Sequence, residues 1–78
     1  MKHARKDYDR IQDPAKKIPD DEPVFLIRGQ DTVGAQAVRA WAELHSKAGG
    51  DPELSRLARE HADRMDAWGY KKRADRPE

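Results

Sequence analysis

Three stretches of the chain carry apolar residues at spacings that define elements. The first is the run Val24-Phe25-Leu26-Ile27, which follows Pro23 and stops short of Gly29. β-branched and aromatic side chains behind a proline predict a short strand, and four apolar residues in a row predict cover on both faces. A strand needs a partner for its backbone N–H and C=O groups. The chain holds no second run of this quality. The partner is therefore expected in the N-terminal arm, in a second copy of the protein or in another molecule; otherwise the run is an extended linker.

The second stretch predicts a helix over residues 33–48. Val33, Ala37, Ala40, Trp41, Leu44 and Ala48 recur at intervals of three and four and share one face, with Val38 beside them. Asp31 or Thr32 is the expected cap, and Gly49 is suited to end the helix with a positive φ. The third stretch is the clearest. Asp51 can cap, Pro52 fits the first helical position, and Glu53 favours the helix dipole. Leu54, Leu57, Ala58, His61, Met65 and Trp68 then form a stripe four turns long, ended by Gly69. Arg56 with Glu60 and Arg59 with Asp63 stand four apart, the spacing of weak surface ion pairs. The short Gly49-Gly50-Asp51 connection predicts an antiparallel pair of helices. The expected fold is mainly α: an antiparallel helical hairpin preceded by one short β-strand and an extended N-terminal arm.

The arm, residues 1–23, holds Pro14, Pro19 and Pro23 and has Tyr8, Ile11 and Ile18 as its sizeable anchors. It reads as extended or partly disordered, with one short turn around residues 7–12. The organisation expected is thus an arm over 1–23, a strand and hairpin over 24–69, and a basic tail over 70–78.

Composition sharpens this picture. The chain has 78 residues, 36% hydrophobic and 40% charged, so its core is thin. A thin core without cysteines has no disulfide to brace it, and a symmetric homodimer is the natural remedy. The net charge of +1 excludes a polycation or an acidic tail protein. No apolar run approaches the roughly 20 residues of a membrane span, and the start has no secretory pattern, so a cytoplasmic protein without a membrane partner is expected.

Candidate chemistry is sparse. No two histidines stand one helical turn apart, and no metal or cofactor is expected. Gly29 and Gly34 lack the Lys-Ser/Thr of a P-loop, and Ser46 and Ser55 sit in no nucleophile elbow, so no enzyme is expected. His61 on its stripe reads as a packed core histidine. Arg28, Gln30, Asp31 and Thr32 form the densest polar cluster beside the apolar segments. Its bland reading is a strand-to-helix turn with a capping aspartate; its sharper reading is a small-anion site on the helix N-terminus beside Arg28. The hairpin brings Trp68 near the start of the first helix, with Arg28 and Tyr70 close by. That end is the expected partner-binding surface, carried by Arg28, Gln30, Asp31, Trp68 and Tyr70. Tyr70 opens a basic tail in which Lys71, Lys72 and Arg73 are the candidates for nucleic-acid contact. The bland reading there is a solvated tail.

Asp21-Glu22-Pro23-Val24-Phe25-Leu26-Ile27-Arg28-Gly29-Gln30-Asp31, followed by Val38-Arg39-Ala40-Trp41-Ala42, carries a further signal. With Ala4-Arg5-Lys6-Asp7-Tyr8 and Ile11-Gln12-Asp13-Pro14 ahead of it, it resembles small uncharacterised proteins of phages and bacterial prophages. The resemblance runs through Ala62-Asp63-Arg64-Met65. It implies no defined activity and no site residues. It implies an accessory phage protein that works by binding a host or phage protein, or a small ligand.

Overall fold

The computed structural model describes residues 2–3 and 13–76. In chain order the elements are β1 (Lys2–His3), β2 (Pro23–Val24), α1 (Gly34–Lys47) and α2 (Pro52–Ala67). They fall into two compact units. The described residues up to Leu26, with Asp75 and Arg76, form one; Ile27–Ala74 form the other.

In the first unit β1 and β2 pair in parallel, Lys2 with Pro23 and His3 with Val24. The strand's partner is therefore the N-terminal arm. The ladder is shorter than residues 24–27, because Phe25, Leu26 and Ile27 lie outside it. The expected cover on both faces also fails, for Phe25 is 74% exposed. Residues 13–22 are not uniformly extended. The Asp13 carboxylate accepts hydrogen bonds from the backbone N–H groups of Lys17 and Ile18, and Lys16 N–H donates to Asp13 O at 3.0 Å. Lys16 takes the left-handed conformation that such a turn requires, at φ 52°. A second turn joins Glu22 N–H to Pro19 O. Tyr8, Ile11 and the turn expected at 7–12 lie outside the described residues.

The second unit is the hairpin. The ends of the helices at the connecting turn follow capping chemistry. The Asp51 carboxylate accepts from Glu53 N–H at 3.0 Å, and Pro52 occupies the first turn. Gly49 takes φ 80° just after the end of α1. Gly50 N–H donates to His45 O, and any side chain at 50 would overlap the His45 ring. The turn thus demands glycine twice. At its far end α2 stops at Ala67 and Trp68 turns extended at ψ 118°; Gly69 takes no left-handed cap.

Cross-hairpin contacts place Ser46 against Ser55, Glu43 against Arg59 and Arg39 against Asp63. The paired numbers run in opposite directions, so the helices are antiparallel. The faces that meet overlap the expected stripes only at Ala37, Ala58 and Met65. On α1 the buried or half-buried positions are Gly34, Ala35, Ala37, Val38, Arg39, Ala42 and His45; on α2 they are Ser55, Ala58, Ala62 and Met65. The core is Ala35, Ala62 and Met65, with Ile27 and Val38 packed against it. Val33, Trp41, Leu44, Leu54, Leu57 and Trp68 are exposed instead. His61 is exposed too, which overturns its reading as a packed histidine.

The reason is steric. Alanine and serine let two helices approach closely, and the approach is fixed by polar contacts. Ser46 Oγ donates to Ser55 Oγ at 2.9 Å, and Ser55 Oγ reaches the Ala42 carbonyl at 3.4 Å. A larger side chain at either column would push the helices apart.

Candidate functional site

The open end of the hairpin gathers the sequence-predicted residues. The segment leading into α1 turns tightly: Asp31 N–H donates to Arg28 O and Gly34 N–H to Asp31 O, both at 3.0 Å. The Asp31 carboxylate accepts from Val33 N–H at 3.0 Å. Asp31 is half-buried and closes a turn ahead of the helix, but α1 itself begins after Val33 without a side-chain cap, so neither Asp31 nor Thr32 is the expected helix cap. Gly29 brings its backbone against the end of α2, where a Cβ would stand 3.6 Å from Trp68 Cβ.

The tail docks on this turn. Asp31 and Lys72 form a parallel bridge, in which Lys72 N–H donates to Gln30 O at 2.8 Å and Thr32 N–H donates to Lys72 O at 3.2 Å. The Lys71 ammonium donates to the Gly29 carbonyl at 2.7 Å and to the Met65 carbonyl in the last turn of α2. A cation there suits the negative end of the helix dipole. Residues 71 and 72 are thus knitted to the fold, which corrects the solvated-tail reading at those two positions. The result is a pinned backbone carrying two outward aromatics, Trp68 at 59% and Tyr70 at 61% exposure. Arg28 is exposed on the same turn, and Gln30 is half-buried.

Two alternatives lose ground on this geometry. The start of α1 is closed, since a Cβ on Gly34 would stand 2.8 Å from the Arg28 carbonyl oxygen. A carbonyl over the first turn repels an anion where free N–H groups would attract one. The Lys71 ammonium is engaged with two carbonyls, which reduces the charge that Lys71, Lys72 and Arg73 could offer a phosphate backbone. Among the described residues no three His, Asp or Glu side chains come together as a metal site. No described helix is long and apolar enough to cross a membrane.

Sequence reasoning missed a second surface, on the flank of the hairpin. Near the interhelical turn the position before each packed position is a large apolar residue on both helices: Trp41 precedes Ala42, Leu44 precedes His45, Leu54 precedes Ser55, and Leu57 precedes Ala58; farther along α2, His61 precedes Ala62 and Arg64 precedes Met65. The position after is mostly charged. Arg39 bonds Asp63 and Asp66, each at 2.7 Å, and Glu43 meets Arg59 at 3.3 Å. Arg59 therefore pairs across the hairpin and not with Asp63 on its own helix. The Asp63 and Asp66 carboxylates raise the pKa of Arg39 above its ordinary value through these hydrogen bonds. In an antiparallel pair, reversing direction and facing the partner cancel, so the "position after" residues of both helices lie on one side. The "position before" residues share the other. One side of the hairpin is an ion-pair lattice; the opposite side is apolar around Trp41, Leu44, Leu54 and Leu57, with His61 and Arg64 beyond them. There Trp41 stacks on His45 with centroids 4.7 Å apart, and the inner His45 Nε2 is buried with no hydrogen-bond partner among the described residues. The signal in the sequence was the pair of small-residue columns, Ala35 and Ala42 on α1 and Ser55, Ala58 and Ala62 on α2.

Comparison of the chain with protein-family models, curated proteins and solved structures returns no match.

Proposed function

We propose that this chain is a non-enzymatic binding protein: a small accessory protein of phage type. In this reading it acts in the bacterial cytoplasm as a homo-oligomer and docks on a host or phage protein. The observation that supports the docking reading is the open end of the hairpin, where Trp68 and Tyr70 stand exposed on a backbone pinned by Lys71 and the Asp31–Lys72 bridge. Aromatic anchors held rigidly before binding lose little entropy on contact, which is what concentrates affinity in a few residues. Arg28 beside them supplies a cation for the rim.

The test is capture of a partner from bacterial and phage-infected extracts, followed by affinity measurement with the purified partner. Trp68→Ala is expected to weaken binding by at least about 30-fold, the scale of an interface hot spot of about 2 kcal/mol, with thermal stability held. Arg28→Ala should weaken it less. Equal binding by both folded variants refutes this surface.

A further inference from the structure

The deeper oddity of the molecule is the imbalance between its inside and its outside. Among the described residues, its buried hydrophobic side chains are Ala35, Ala42, Ala62 and Met65. Meanwhile Trp41 is 46% exposed, Leu44 66%, Leu54 46% and Leu57 47%, all on the flank opposite the ion pairs. We propose that this flank seats the same flank of a second copy, so that two hairpins close face to face about a two-fold axis into a four-helix dimer. The proposal rests on the oligomeric half of the function above and adds the surface and the symmetry.

Three observations select a second copy as the occupant. The first is area. At about 200 Å² for a large side chain, these four leave about 400 Å² exposed, and Val33 brings the patch to about 500 Å². A stable dimer buries about 800 Å² on each partner, so the patch with its polar rim is the size one copy covers. The second is charge. Trp41, Leu44, Leu54 and Leu57 are all neutral, while the ionic groups that link the helices stand on the far side, and the exposed His61 and Arg64 fall at the end of the flank away from the interhelical turn. A neutral centre meets its own copy without like-charge repulsion. The third is the core. Small domains without disulfides or metals need extra burial, and the isolated hairpin buries alanines. A two-fold dimer converts both flanks at once into the large-residue core that the monomer lacks. Trp41, already held by its stack on His45, is the anchor of that interface.

Light scattering on the full chain should give twice the 8.9 kDa chain mass, with a Tm that rises with protein concentration. Leu44→Glu and Leu57→Glu should abolish the dimer; Glu43→Gln, on the charged side, should leave it intact. On a lone hairpin, glutamate at these exposed positions would change little. Conversion to a folded monomer and outright unfolding therefore both support the interface. A strict monomer, a trimer or higher assembly, or an unchanged dimer in both glutamate variants would overturn it. A monomer would leave the Trp68 docking surface untouched, and loss of partner capture in Trp68→Ala alone would leave this dimer untouched, so the two readings fail separately.

Discussion

Gly34→Ala separates local helix preference from tertiary packing, because the two predict opposite signs. Gly34 is the first residue of α1, and alanine in a helix is ordinarily worth up to about 1 kcal/mol over glycine. Here the added methyl would lie 2.8 Å from the Arg28 carbonyl oxygen, 3.0 Å from Met65 Cε and 3.1 Å from Ile27 Cγ2. Met65 can swing its terminal methyl aside. The Arg28 carbonyl cannot move alone, because the Asp31 N–H bonds to it. A carbon needs about 3.3 Å from such an oxygen, so the turn must shift by about 0.5 Å. Overpacking of this kind costs about 1–3 kcal/mol. Set against the full propensity gain, the net loss is up to about 2 kcal/mol, or a fall in Tm of up to about 15 °C for a chain of this size. Melting followed by circular dichroism at one fixed protein concentration measures it. Gly69→Ala is the control: nothing lies within 4 Å of its added methyl, and Tm should hold. A Gly34→Ala protein that melts higher than the parent would refute the close approach of the Arg28 turn to α1.

Two further outcomes follow from the hairpin. Ala62 is fully buried between the helices, so Ala62→Leu should destabilise by about 2–3 kcal/mol through overpacking, whereas Ala40→Leu on the exposed side should be near neutral in urea unfolding. Glu53 is held below its ordinary pKa of 4.5, first by its hydrogen bond from Arg56. A depressed carboxylate adds stability that is complete above its unfolded pKa and is lost as pH falls through the folded value. The Tm difference between the parent and Glu53→Gln should therefore shrink to nothing on acidification from about pH 6 to about pH 2. A difference constant over that range would refute the pairing.

How far the fold could be read from the sequence depended on where its cause lay. Helix ends come from local chemistry, and Asp51, Pro52 and Gly49 placed them to within a residue or two. The gathering of Arg28, Gln30, Asp31, Trp68 and Tyr70 at one end came from the length of the connection, which is local as well. The side of each helix that packs is a tertiary choice. Assigning the largest apolar residues to the core put Trp41, Leu44, Leu54 and Leu57 inside. That assumption fails where Ala42, Ser55 and Ala62 allow a closer approach than leucines permit, and where Ser46 and Ser55 bond across the gap. Docking of Lys71 on the Gly29 and Met65 carbonyls had no sequence signal beyond a lysine past a helix end. The β1–β2 pairing was open among three partners, and no spacing could choose the arm.

The two misplaced stripes are more informative together than either alone. On α1 the apolar positions precede the packed ones by one residue, and on α2 they do the same. Had one helix carried the opposite offset, its leucines would lie on the ion-pair side, and each side would be a mixture of charge and hydrocarbon. The matched offset brings the leucines of both helices to one side, and the Arg39–Asp63 and Arg59–Glu43 pairs to the other. A lone hairpin gains from that sorting only exposed ion pairs, which contribute little, since either arrangement leaves the same apolar area in water. Covering the apolar side makes the sorting a larger advantage. The phase relation between small and large residues is thus the feature of the sequence on which the proposed dimer rests.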